Sequence, residues 1–125
     1  MSVVDQRHCL DVFHTLLRQG YTDHDLLQAA LLHDVGKGEV RLRLWHRILS
    51  ALLEDLCPLL LEKLALNQPD SWRYAFYVYK HHAELSAELA KQAACSPKVV
   101  ELIRLHHTPS GDEQVKALWR ADKVN

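Results

Sequence analysis

The run Ala29-Ala30-Leu31-Leu32 ends on His33-Asp34, and Val35-Gly36-Lys37 follows at once. Leu26 to Leu32 is apolar and helix-favouring, which predicts a buried helix. Gly36 and Gly38 predict its stop, since glycine is cheap in the left-handed conformation that closes a helix. His33 and Asp34 then occupy the last turn of a buried helix. A histidine and a carboxylate are costly there unless paired, hydrogen-bonded or bound to a metal. The chain holds nine histidines, so partners are available. Two of them, His106-His107, end a second apolar segment in the same way. Each feature alone has a plainer explanation, a core histidine with one hydrogen bond or a carboxylate that caps a helix.

The 125 residues suffice for one domain with a modest core. Hydrophobic residues make up 48% and charged residues 25%, with only four glycines and four prolines. That balance is ordinary for a soluble protein, and the many leucines and alanines favour helix over sheet. A formal charge of −1 gives no general attraction to nucleic acid, so any anionic ligand must be recognised locally. No apolar run approaches the roughly 20 residues of a membrane span. The opening Met-Ser-Val-Val-Asp lacks a signal-peptide layout, so a cytoplasmic location is expected. Cys9, Cys57 and Cys95 are odd in number and far apart, which predicts three small buried residues in a reducing compartment.

About six or seven helices are expected, in a single compact all-α bundle spanning residues 1–125. Val4 to Arg18 carries Val4, His8, Val12 and Leu16 at i, i+4 spacing, with Phe13 and Leu17 widening the stripe, so His8 points inward and His14 lies off the stripe. Thr22 and Asp25 suggest a capping box for the next helix, leaving His24 on its surface. Val40 to Leu66 is the most apolar region: Leu42, Trp45, Ile48, Leu49, Leu52, Leu53 and Leu56 form a broad stripe, and Pro58 starts a further short helix. Arg41, Arg43 and Arg47 read as its solvated side. After the turn Asn67 to Ser71, which supplies a cap in Asp70 or Ser71, the segment Trp72 to Ala93 is expected to be helical in its second half. Tyr74, Phe76, Tyr77 and Tyr79 read as core and cleft wall. Ser96-Pro97 and Asp112 cap the last two helices.

Ala30 to Lys37, Ala-Leu-Leu-His-Asp-Val-Gly-Lys, resembles the signature of the HD superfamily, all-α metal-dependent phosphohydrolases. The resemblance extends along nearly the whole chain. It implies a first metal ligand at His8, 25 residues before the His-Asp pair and four before the small aliphatic Val12. It implies a further ligand at His82, from His82-x-x-x-Ser86-Ala87, with His81 as a neighbour. It also implies His106, His107 or both, and a final carboxylate at Asp122 in Ala121-Asp122-Lys123. Neutral imidazoles and carboxylates suit iron or manganese first, with zinc, cobalt, nickel or magnesium as other choices. His8, His33, Asp34 and Asp122 would serve one divalent ion, His82 with His106 or His107 a second, and Asp34 would bridge.

The implied activity is hydrolysis of a phosphate ester or anhydride by metal-activated water, without a protein nucleophile. Asp34 and Lys37 are the implied catalytic residues, Lys37 meeting phosphate oxygens unless it is only a surface charge near a helix end. Arg104 and Lys80 are weaker phosphate candidates. The chain lacks the Gly-Tyr-Pro run of the superfamily's cyclic-di-GMP phosphodiesterases. His107-Thr108 and Ala121-Asp122-Lys123 look more like bacterial members acting on nucleotides or dinucleoside polyphosphates. The expected partner is a small phosphorylated, nucleotide-type substrate, with no membrane and no extended nucleic acid; a homodimer is compatible. A chain ending three residues after Asp122 fits a minimal domain or part of a longer protein. Two other readings remain: a metal-stabilised binding or signalling domain, and a di-iron oxygenase.

Overall fold

The structure is a computed structural model that describes residues 2–38, 44–68, 72–108 and 111–125, with the backbone only at 44–47. It is all-helical among the described residues. The elements are α1 (Val3–Arg18), α2 (His24–Leu32), a 3-10 turn (Val35–Lys37), α3 (Leu44–Leu56), α4 (Pro58–Leu64), α5 (Tyr74–Gln92), α6 (Pro97–Arg104) and α7 (Glu113–Val124). No described helix is long and apolar enough to cross a membrane.

Local chemistry sets the helix starts. The Ser96 hydroxyl accepts from the Val99 N–H, Pro97 opens α6, and Asp112 accepts from Gln114 and Val115 at the head of α7. Pro58 opens α4. The expected Thr22–Asp25 box is not used. Asp23 caps α2 by accepting from the Leu26 N–H at 3.0 Å. Asp25 instead accepts from the Ser96 hydroxyl at 3.1 Å, tying the starts of α2 and α6 together. Gly20 ends α1 at φ +90, where a side chain would be strained.

One apolar core joins α1, α2, α6, α7 and the C-terminal half of α5. Val12, Leu16, Leu26, Ala29, Ala87, Leu102, Ile103 and Leu118 are completely buried in it. On α1 the inward face is rotated from the expected stripe: Val4 is exposed, while Asp5 and Cys9 are buried beside Val12 and Leu16. Helix α5 covers the aromatic half of its segment as well as the second half. Ala75, Val78, His82 and Ser86 share its buried side at helical spacing, which is the signal the aromatic run obscures. Cys57 is exposed, contrary to expectation, because it lies in the link before α4 rather than on an inward face.

The apolar stripe of α3 also departs from a core role. Helices α3 and α4 pack on each other and on α5, outside the main cluster. Ile48, Leu49, Leu52, Leu56, Leu59 and Leu60 are all exposed, and Leu61 is the buried leucine of α4. Leu42, Arg41 and Arg43, the side chains of Trp45 and Arg47, and the expected Asp70 or Ser71 cap lie outside the described residues.

Gly36 serves a different purpose from the helix stop expected of it. Gly38 takes the positive φ, +58, whereas Gly36 sits under α5. A Cβ on Gly36 would lie 2.5 Å from the Ser86 nitrogen and 2.8 Å from the His82 carbonyl oxygen. The Gly36 N–H donates to the Ser86 hydroxyl at 2.8 Å. This contact presses the 3-10 turn onto α5 and fixes Asp34 relative to His82. Gly36→Ala is expected to destabilise the fold by about 1–3 kcal/mol, since backbone must yield rather than a flexible side chain. Chemical denaturation measures this, and an unchanged midpoint would refute the close-approach role.

Candidate metal centre

Six parts of the fold meet at one site. Helix α1 brings His8 from its middle. The chain just past α2 brings His33 and Asp34, and the 3-10 turn brings Lys37. Helix α5 brings His82, the turn after α6 brings His106 and His107, and α7 brings Asp122. His33, Asp34, His82 and His106 are buried, His8 and Asp122 partly so, and His107 is exposed at its edge.

Three of the imidazoles are held in one manner. The Nδ1 atoms of His33, His82 and His106 lie 2.7, 2.7 and 2.6 Å from the carbonyl oxygens of Ala30, Tyr79 and Ile103, each three residues earlier. A carbonyl only accepts, so each Nδ1 carries a proton and each Nε2 is turned to the site, as a lone pair on the neutral His82 and His106 and, on His33, as a position where a cation would take the place of a proton. Backbone hydrogen bonding of one ring nitrogen is the usual support for a histidine whose other nitrogen binds a metal. The Nε2 atoms of His33 and His106 are buried with no hydrogen-bond partner among the described residues. A buried ring nitrogen left without a partner is costly, and a cation held between these two would satisfy both.

The donor atoms form overlapping sets. His8, His33 and Asp122 bring ligand atoms within 4.8 Å of one another, and so do His82, His106 and His107. Within the first set, His8 Nε2 is 2.8 Å and His33 Nε2 3.5 Å from Asp122 Oδ1. Within the second, the Nε2 atoms of His82 and His107 are 2.7 Å apart. Two donors about 2.1 Å from one ion stand about 3.0–3.4 Å apart, so these spacings suit a shared cation. Asp34 lies between the sets. Its Oδ2 is 3.8 Å from both His8 and His33 Nε2, and its Oδ1 is 3.5 Å from His82 Nε2.

A third grouping, Cys9 with His33 and Asp34, fits less well. Cys9 Sγ faces His33 Nδ1 at 3.9 Å, the nitrogen already committed to the Ala30 carbonyl. The groups that fit a metal therefore contain imidazole and carboxylate. They suit a borderline or hard first-row divalent ion better than a thiolate-seeking one.

The electrostatics favour a positive charge here. Burial alone would raise the carboxyls of Asp34 and Asp122. His33 and Lys37 around Asp34, and His33 and His8 around Asp122, nevertheless hold both well below the usual carboxylate range. Burial lowers His33, yet Asp122, with Cys9 and Asp34, outweighs it and raises this imidazole well above an ordinary histidine. Burial, reinforced by neighbouring positive groups, lowers His82, His106 and His107 to about 4. These three rings are neutral at physiological pH, the form that ligates a metal.

Lys37 is not an exposed charge at a helix end. Its Nζ lies 2.7 Å from Asp34 Oδ2 and 3.7 Å from Asp5 Oδ1, and the side chain is 11% exposed. It lines an open pocket of about 440 Å³ together with His8, Asp34, His82, His107 and Asp122. Ile48 and Ala51 of α3 supply an apolar wall, and Tyr79 and Asn125 complete it. Asp5 is a site residue that the residue pattern left unnoticed. It is 3% exposed, its second oxygen is held by the Ser2 hydroxyl, and only the one-residue rotation of the α1 stripe would have placed it inward. His81 and His14 stand apart, packed on Tyr77 and Phe13. His24 is exposed, and the His46 side chain is outside the described residues.

No protein-family profile, curated protein or solved structure matches the chain.

Metal-free protein should lose stability as pH falls from 6.5 towards 4. His82 and His106 titrate near 4 when folded and near 6.5 when unfolded, so the unfolded chain binds more protons in that window. Each contributes a slope of at most about 1.4 kcal/mol per pH unit. His107 counts for less, because its side chain is 44% exposed and solvent screens it. The raised His33 contributes stability fully present below its unfolded pKa and lost at higher pH, so it does not reverse the sign. The lowered Asp34 and Asp122 contribute only a loss at still lower pH. Urea midpoints from pH 6.5 to 4.5 measure the slope, and a flat or inverted profile in that window would refute neutral burial of these rings.

Proposed function

We propose that the chain is a metal-dependent phosphohydrolase of the HD type, acting in the cytoplasm on a small nucleotide-type phosphoester or anhydride. The observation that carries this reading is the pair of orphaned Nε2 atoms on His33 and His106, presented by backbone-held rings around Asp34. The resemblance of Ala30 to Lys37 to the HD signature supports it from the sequence side.

His8, His33, Asp34 and Asp122 would hold one divalent ion, and His82, His106 and His107, with the other oxygen of Asp34, a second. Iron or manganese suits this donor set first. Bound ions would supply water activation and neutralise charge developing on the phosphate oxygens. The chain's own contribution is orientation. The Ala30, Tyr79 and Ile103 carbonyls fix the ligand rings, and Gly36 lets Asp34 sit close to His82. Lys37 lines the same pocket and has N–H groups to offer a phosphate oxygen beyond the one on Asp34. Ile48 and Ala51 give the pocket one apolar wall.

Protein reconstituted with manganese or iron should contain close to two ions per chain and hydrolyse members of a phosphoester panel. Asp34→Ala should lose both ions together and reduce turnover to background, because Asp34 faces both donor sets. Elemental analysis and phosphate release on the same samples measure the two effects. Asp34→Ala retaining full metal content would remove the bridge. Two ions with no turnover on any phosphoester would favour a metal-stabilised binding domain, and no ion after reconstitution would make the histidines structural.

A further inference from the structure

Beside the histidine centre lies a second pocket of about 430 Å³, lined by Glu54, Tyr79, Lys80, His82, Ala83, Arg104, His107, Thr108 and Lys123. It shares Tyr79, His82 and His107 with the first pocket, so the two lie side by side on those rings. Its charges are unlike the chain average. Lys80 from α5, Arg104 from α6 and Lys123 from α7 converge on it, against the single carboxylate of Glu54, in a protein with a formal charge of −1.

We propose that this basic pocket is an anion subsite that receives the non-reacting phosphates of a polyphosphorylated substrate while its reacting phosphate lies at the histidine centre. The assignment of a reacting phosphate to that centre rests on the function proposed above; the anion site itself does not.

The cations are available for this role. Lys80 has Glu62 at 3.5 Å and Arg104 has Glu84 at 2.9 Å, but neither glutamate lines the pocket. Both glutamates are at least 60% exposed, and ion pairs of that kind are weak and readily exchanged. The Glu84 contact uses Arg104 Nε, which leaves the terminal N–H groups of the guanidinium fork. Lys123 has no carboxylate within ion-pair distance among the described residues; its Nζ lies 5.9 Å from the centre of the Trp119 ring. Thr108 adds a hydroxyl. Donors from three helices, with no single-helix origin, make a site whose geometry the fold fixes. Two adjacent pockets of this size match a substrate longer than a simple phosphomonoester.

The test uses the full chain, freed of metal, and inorganic triphosphate as the probe in a calorimetric titration at low salt. Wild-type protein is expected to bind triphosphate, more tightly than orthophosphate, and to lose affinity as salt is raised. Lys123→Ala and Lys80→Ala should each weaken triphosphate binding roughly tenfold, in line with loss of one charge-assisted contact. Lys91→Ala removes the same charge from α5 outside the pocket and should change nothing, and melting curves verify that every variant is folded. Absence of triphosphate binding, or equal affinity for Lys123→Ala, Lys80→Ala and Lys91→Ala, would overturn the proposal. Variant-sensitive triphosphate binding in a protein that hydrolyses no phosphoester would leave this site standing and defeat the proposed activity. Hydrolysis combined with triphosphate affinity indifferent to Lys123 and Lys80 would do the opposite.

Discussion

A hydrogen bond from a ring nitrogen to a carbonyl three residues earlier, repeated at His33, His82 and His106, determines the character of this protein. It fixes each ring and turns its Nε2 to the site, where those of His33 and His106 have no hydrogen-bond partner among the described residues and that of His82 faces His107. Helix geometry makes the bond available at a helix end or along a buried face, and the three rings use it from α2, α5 and the turn after α6. A buried ring nitrogen left without a partner is costly. The bundle therefore carries an internal cost that a bound cation would relieve, and the placement of the other site residues follows from that.

Charge is arranged to the same end. Asp34 and Asp122 stay anionic despite burial, and His33 is drawn towards the charged state while His82, His106 and His107 are kept neutral. One half of the site thus asks for positive charge, and the other offers neutral donors. Lys37 supplies part of that charge against Asp34, with Asp5 behind it. The packing serves this balance. Gly36 allows the turn carrying Asp34 to touch α5, and Ser86 receives its N–H. The leucine-rich α3 and α4 stand outside the main core and contribute a pocket wall instead.

Most of the fold could be read from the residues. Apolar spacing gave the helices, and Ser96, Pro97, Pro58 and Asp112 marked their starts. The failures have local causes. Asp23, Thr22 and Asp25 are all good caps, and only the tie between Asp25 and Ser96 decides among them. The aromatic run at the head of α5 has weak preferences of its own, and burial of Ala75, Phe76 and Val78 makes it helical. Val4 is exposed and Asp5 is buried with its carboxylate 3.7 Å from Lys37 Nζ, a pairing that apolar spacing does not reveal. The structure brings together His8, His33, Asp34, His82, His106, His107 and Asp122, the set that the resemblance to the HD signature implies. Cys9, Asp5 and Asn125 carried no motif and emerge only from the packing. Gly36 and Gly38 look alike in the sequence, and their different tasks depend on how closely α5 approaches.

The most direct measurement is anomalous diffraction from crystals grown with manganese. Two manganese peaks are expected, one contacted by His33 Nε2 and the other by His82 and His106 Nε2, with Asp34 reaching both. A structure with manganese absent from both positions, or bound beside Cys9 through the Nδ1 of His33, would contradict the account.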